Sequence, residues 1–231
     1  MFKKTSFMLA GTLMLTAAIV MVSKPALLGM QAEAASENGA QAESSLVRSH
    51  SPILGQADAP VTIVEFFDPA CEACRAFYPL TKRILETYPE KVRLIVRYTP
   101  FHGDVSDKAI RVLEVARRQG VFEPVLEALL ARQEQWASHG SFDESAILEI
   151  ASEAGLDRAA AEEQLTSADV QAVIDQDMAD VRANQIRKTP TFFINGEPLD
   201  PFGMQALIDA VERHVQATSE AEDGPPVANR P

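Results

Sequence analysis

Two apolar runs of strand length, VTIVEFF from Val61 and VRLIVRY from Val92, enclose a stretch in which Phe77, Leu80, Ile84 and Tyr88 recur at helical spacing. This succession restricts the fold more than any other feature. Two strands joined through a helix pair in parallel, with a right-handed crossover. The first run is apolar and rich in β-branched residues apart from Glu65, and lies between Pro60 and the Asp68-Pro69 break. It is expected to be a central strand buried on both faces. The second alternates Val92, Leu94, Val96 and Tyr98 with Arg93 and Arg97, and is expected to have one wetter face.

A long helical stretch follows. From Asp104 to about Ile186, amphipathic segments are punctuated by Gly120, by a break at SHGSFDE, by Gly155, and by Ser167 ahead of Val170, Ile174, Met178 and Val181. The pattern predicts four or five helices, one of them opened by a capping box from Ser141 to Glu144. TPTFFINGEPL then reads as a hairpin turning at Asn195-Gly196, and FGMQALIDAVERHV as a closing helix. The 231 residues, 46% hydrophobic, suffice for one domain with a sizeable insertion.

The ends differ in character. Lys3 and Lys4 precede an apolar run from Phe7 to Val22, followed by small residues with Ala32 and Ala34 spaced as at a cleavage site. Residues 1–34 are therefore expected to be a signal peptide that exports the chain to the periplasm or beyond, an oxidising compartment. The alternative is an uncleaved anchor, because SKPALLGM lengthens the region after the apolar core; the run itself falls short of the roughly 20 residues of a spanning helix. Segments 35–47 and 217–231 are polar and aperiodic and are expected to be mobile tails. The formal charge of -12 disfavours nucleic acid and anionic lipid as partners.

The only cysteines, Cys71 and Cys74, fall where the first strand gives way to the first helix. There the Cys71 thiol lies near unsatisfied backbone N–H groups and the positive end of the helix dipole, which stabilise a thiolate. A thiolate attacks disulfides, and a second cysteine two residues on can close back and release the mixed disulfide. A purely structural bridge across so small a loop removes little unfolded-state entropy. A metal site needs further ligands, and His50, His102, His139 and His214 have no matching close spacing to the pair. A copper-handling module would favour thioether ligands as well, but five of the seven methionines stand in the first thirty residues, leaving Met178 and Met204. Among the remaining residues, Trp136 is expected to pack within the helical block, and His102 to be a loop residue or to line the site.

With an export signal, VTIVEFFDPACEACRAFYP, a helical insertion and KTPTFFING, the chain resembles the DsbA-like group of thioredoxin-fold thiol-disulfide oxidoreductases over about residues 50–215. The resemblance implies an α/β thioredoxin-like fold, a central mixed sheet flanked by helices. Residues 48–103 and 187–216 would form that domain, and 104–186 an inserted helical domain. It implies Cys71 as nucleophile, Cys74 as the buried resolving partner, Thr189 and Pro190 as the cis-proline loop that meets an extended client, and Glu65 as a buried acid managing protons. An unpaired carboxylate in an apolar strand is costly, which independently marks Glu65 for chemistry. The implied partners are cysteine-containing client proteins and a membrane-bound redox protein that recycles the pair; no bound cofactor is needed, since the pair holds the two electrons.

Between the cysteines the chain departs from the strongly oxidising members of that group, which carry a proline and a histidine where this chain has Glu72 and Ala73. A carboxylate beside Cys71 is expected to raise the thiol's pKa and weaken the oxidant. The expected activity is disulfide donation, with a reductase or isomerase kept reduced by a membrane electron donor as the alternative.

Overall fold

The computed structural model describes residues 45–138 and 141–223, so the expected leader 1–34, His139 and most of the tail 35–47 lie outside the described residues. In chain order the strands are β1 (Ile53–Gly55), β2 (Val61–Phe67), β3 (Val92–Tyr98), β4 (Ala137–Ser138), β5 (Ser141–Phe142), β6 (Thr191–Ile194) and β7 (Glu197–Pro198). The helices are α1 (Glu72–Thr87), α2 (Asp104–Arg118), α3 (Phe122–Ala131), α4 (Gln133–Trp136), α5 (Glu144–Glu153), α6 (Arg158–Gln164), α7 (Ala168–Ala183) and α8 (Met204–Asp223). None of them is long and apolar enough to cross a membrane.

Five strands form one mixed sheet in the order β1-β3-β2-β6-β7, with β2 central. β2 and β3 run parallel, Val61 opposite Val92 and Phe67 opposite Tyr98, as the connection through α1 requires. β6 pairs antiparallel with β2, and β7 returns from it through Asn195 and Gly196, whose φ values of 48° and 85° suit the tight hairpin read from the sequence. β1 had no sequence signal: it is a three-residue edge strand, antiparallel to β3. It ends at Gly55, φ 89°, where a β-carbon would stand 2.8 Å from the Val92 carbonyl oxygen.

Strand alternation divides the core. Ile63, Phe67, Leu94, Val96 and Tyr98 join Cys74, Phe77, Leu207 and Val211 on the face covered by α1 and α8. Val64, Phe66 and Ile95 join Leu46, Val181 and Ile186 on the opposite face. Glu65 lies between Ile63 and Phe67 in sequence and so faces the α1 side.

Four expectations change. The helical stretch holds six helices, α2 to α7, because α4 and α6 are too short to show a full amphipathic period. The cap of α5 is Asp143, whose carboxylate accepts from the N–H groups of Ser145 and Ala146, in place of Ser141, which lies in β5. α7 belongs only partly to the insertion: Val170 and Ile174 join the main core that the helices share with the sheet, while Val181 packs on the sheet's second face. The boundaries also move. Leu46 is buried against Val64 and Phe66, so the ordered chain begins before residue 48, and α8 runs on to Asp223, past the expected end at 216.

The wetter face expected of β3 is half right. Arg93 is partly exposed, but Arg97 is completely buried. Its guanidinium donates to Asp177 and Asp180 on α7 and to the carbonyls of Ser45 and Leu46. Alternation located the side chain on the second face, but not what covers that face.

Candidate active site

The turn that carries the cysteines is built around Asp68. This residue is fully buried at the end of β2, and its carboxylate accepts from Ala70 N–H at 2.9 Å, closing an Asx turn. The same group accepts from the Ser106 hydroxyl (2.7 Å) and from the N–H groups of Phe101 (2.8 Å) and His102 (3.1 Å), with His102 Nδ1 at 2.7 Å. The loop after β3 is thereby fastened beneath the turn. His102 stands at that loop, its side chain 47% exposed.

Cys71 caps α1 in an extended conformation, φ -77° and ψ 121°, with no side-chain cap bond. Its residue is 7% exposed, and its thiol donates to the Thr189 carbonyl 3.3 Å away, next to the cis Thr189-Pro190 peptide. A hydrogen bond from the Cys74 thiol, helped by the N–H groups of Cys74 and Ala73 at the helix start, outweighs burial and holds Cys71 down at about 5. This reverses the direction expected from Glu72. That carboxylate is exposed, and the groups that touch the sulfur decide the outcome.

Cys74 is completely buried and accepts a long contact, 3.5 Å, from Asp68 N–H. Burial first, then its bond to Cys71 and the Glu65 charge, push its thiol far up. Glu65 is 2% exposed, and its Oε1 has no hydrogen-bond partner. Burial, with the Cys71 charge adding to it, pushes Glu65 up to about 8. The structure thus gathers Cys71, Cys74 and Glu65 into one electrostatic unit, with the Thr189 carbonyl, just before Pro190, against its outer sulfur. The arrangement holds one readily ionised thiol at the surface edge and one proton-holding thiol behind it, which is what a thiol-exchange step requires.

Two residues of the site had no role in the sequence reading. Asp68 marks the strand boundary in the sequence, and Asp-Pro after a strand is also a turn signal. Gln133 on α4 had no local signal: its side-chain amide donates to the carbonyls of Pro69 (2.7 Å) and Cys71 (3.1 Å). Trp136 packs in the helical block as expected, its indole N–H donating to Leu129 O. Beside the site, exposed Phe202 packs on Phe77 with ring centroids 5.1 Å apart, and Lys188 Nζ lies 4.7 Å from its centroid. Among the described residues no group of three His, Cys, Asp or Glu side chains could hold a metal ion.

The raised Glu65 pKa has a stability consequence. Between its ordinary 4.5 and about 8 the folded state holds a proton that the unfolded chain releases, so folding loses stability as pH rises through that window. Glu65→Leu removes this cost and the unpaired oxygen. It is expected to stabilise the reduced protein by about 2–3 kcal/mol at pH 7, with the gain growing from pH 4.5 to 8 in urea melts. A pH-independent difference would mean that Glu65 keeps its charge when buried.

A family model described as Thioredoxin matches residues 48–212. A thioredoxin-like oxidoreductase from Silicibacter pomeroyi DSS-3 is 33% identical, with a TM-score of 0.65 over 74% of this chain and 96% of that one. A probable disulfide bond formation protein D of Bacillus cereus is 26% identical over 159 residues, 64% of this chain and 71% of that protein. The Na(+)/H(+) antiporter NhaA of Herminiimonas arsenicoxydans is 29% identical over 167 residues, 70% of this chain. This chain spans only 25% of that antiporter's length.

Proposed function

Because the chain belongs to the thioredoxin family, we propose that it is an exported protein thiol-disulfide oxidoreductase that donates the Cys71–Cys74 disulfide to cysteine-containing clients. The observation that carries this reading is the asymmetry of the pair: Cys71 held at about 5, Cys74 pushed far up.

A client thiolate attacks Cys71 Sγ of the oxidised pair, forming the mixed disulfide and breaking the Cys71–Cys74 bond. Cys74 leaves with the electron pair and takes up a proton, for which the Glu65 carboxyl is the nearby store. A second client thiolate then attacks the client sulfur and expels Cys71 as thiolate. The client loses two electrons, and the pair gains them. Thr189 and Pro190 offer backbone groups to the extended client, with exposed Phe202, packed on Phe77 and under Lys188, as a nearby apolar surface. A membrane-bound redox partner reoxidises the pair. The leader-like residues 1–34 support export.

Magnitudes favour this direction. At pH 7 a thiol at about 5 is almost wholly ionised, about a hundredfold more than an ordinary cysteine near 9. Its intrinsic nucleophilicity falls by about 40- to 100-fold over the same difference, so attack gains little. Departure gains throughout, because a lower leaving-group pKa speeds expulsion. Cys71 is therefore built to leave more than to attack, as a donor needs.

In the reduced protein, thiolate absorbance and alkylation of Cys71 are expected to titrate with a midpoint near pH 5. The function is tested by oxidation of a reduced unfolded client and by equilibration with glutathione. Rapid client oxidation and a pair more oxidising than glutathione support donation. A pair far more reducing than glutathione would reverse the direction and make the protein a reductase or isomerase. A wild-type protein that exchanged no disulfides would end the reading altogether.

A further inference from the structure

We propose that Gln133, contributed by the helical insertion, is a positioning residue that sets the redox poise of the Cys71–Cys74 pair. The observation is one buried amide bridging two segments. Gln133 is 1% exposed, and its Nε2 donates to Pro69 O at 2.7 Å and to Cys71 O at 3.1 Å. These carbonyls bracket Ala70, so both peptide planes leading into and out of the nucleophile's turn are held from outside the turn.

The Cys71 carbonyl is the one whose orientation matters most. It already accepts the first bond of α1, from Arg75 N–H at 3.1 Å, and Gln133 supplies its second. The direction of that carbonyl defines ψ of Cys71, which at 121° aims the sulfur across the start of the helix toward the N–H groups of Ala73 and Cys74. The approach of those N–H groups to the sulfur falls short of a capping hydrogen bond, so it does not by itself hold this geometry. The other link between α4 and α1, Arg75 to Glu134 at 2.9 Å, is solvent-exposed and contributes little. Ser106 on α2 holds the turn at Asp68, and Gln133 is the buried connection through which the insertion reaches the Cys71 peptide itself.

Gln133 is uncharged and, among its hydrogen bonds, makes none to either sulfur, so it acts by position. Without it the turn relaxes, the N–H contacts to the Cys71 sulfur lengthen, and the thiolate loses stabilisation. The reduced pair is then less favoured and the protein a weaker oxidant. Its link to function rests on the exchange reading above, but the shift in thiol ionisation does not.

The test uses the full exported chain with three substitutions. Gln133→Met keeps the length and removes both donors. Gln133→Glu keeps the volume and, neutral when buried, one O–H donor. Ile147→Val loosens the core of the insertion without touching the turn. Thiolate absorbance against pH, equilibration with glutathione and thermal melting are measured on each. Gln133→Met is expected to raise the Cys71 midpoint by about one unit and to move the glutathione equilibrium about tenfold toward the disulfide, or about 30 mV. Gln133→Glu is expected to do so by less, serving as the second variant should Gln133→Met fold poorly. Ile147→Val is expected to lower the melting temperature with neither shift. The inference is overturned if both Gln133 variants keep the wild-type midpoint and equilibrium within about twofold, or if Ile147→Val moves them equally. A wild-type protein inactive in exchange whose midpoint still moves in Gln133→Met would end the functional reading and leave the positioning role standing.

Discussion

Cys74→Ser is expected to turn the protein into a trap that accumulates covalently bound clients, whereas Cys71→Ser leaves it inert. In Cys74→Ser the Cys71 thiolate survives, because backbone N–H groups of residues 73 and 74 still face it, and a serine hydroxyl can donate where the Cys74 thiol did. Cys71 therefore still attacks an oxidised client or its mixed-disulfide equivalent. No second sulfur then stands behind it to close the ring, and the mixed disulfide persists until an external thiol resolves it. In Cys71→Ser the remaining thiol is completely buried and pushed far from ionisation, so its thiolate is scarce and out of reach. Catalysed exchange should fall to the background rate. Non-reducing gels of exported protein check both outcomes. Dithiothreitol-sensitive adducts should appear in Cys74→Ser and be absent in Cys71→Ser. Adducts confined to Cys71→Ser would mean that Cys74 is the attacking residue and would invert the assignment.

The second large effect concerns stability, far from the chemistry. Arg97→Met is expected to cost about 3–5 kcal/mol, since it leaves buried carboxylates without their partner. Arg97 donates to Asp177 and Asp180 from Nη2 at 2.8 and 2.6 Å, and from Nη1 to Ser45 O and Leu46 O at 2.6 and 2.7 Å. Asp177 also accepts from Tyr98 N–H at 2.8 Å and has His50 Nε2 at 2.8 Å, while Arg48 reaches Asp180 at 2.6 Å. One guanidinium thus joins β3, α7 and the chain before β1. For a domain of this size the loss corresponds to a fall of roughly 10 °C in melting temperature. It should be accompanied by faster proteolysis before residue 51.

The pH dependence follows from Asp180. Burial works to raise its pKa, but bonds from Arg48 and Arg97 outweigh this and hold it below the ordinary carboxylate value. A depressed folded pKa gives stability that is present above the unfolded value and lost as pH falls through the folded one. The difference between wild type and Arg97→Met should accordingly shrink below about pH 4. A cost under about 1 kcal/mol at neutral pH would show that the desolvation of these charges nearly cancels their attraction.

Much of the frame was legible because it is written in short-range terms. The alternation and β-branching of Val61–Phe67, the helical spacing of Phe77 to Tyr88, the Ser167 cap, whose hydroxyl accepts from Val170 N–H, and the Asn195-Gly196 turn each act within a few residues. The cysteines' place at a strand-to-helix junction follows from the same local signals. The reading erred where those signals were too short or silent. β1 is three residues long and α4 one turn, neither enough for a period to show. Arg97 looked like a polar residue on a wet face because alternation says which side a residue points to, and nothing about what lies there.

The ionisation of the site combines neighbours along the chain with groups brought in from longer range. Glu72, the charge nearest in sequence to Cys71, suggested a raised pKa; the sulfur is governed by the Cys74 thiol and helix N–H groups packed on it. Thr189 reaches Cys71 across 118 residues, Gln133 across 62, and Asp177 reaches Arg97 across 80. Hydrophobic period and turn chemistry determine which segments become strand, helix or hairpin, since those are properties of neighbouring dihedrals. Burial, hydrogen-bond partners and dielectric set a thiol or a carboxyl, and these exist only once distant segments have closed on one another. The cysteine pair, and the helix start that favours a Cys71 thiolate, were therefore readable from the chain, while the burial that sets the two thiols apart, and the amide that holds their turn, were decided by the folded structure alone.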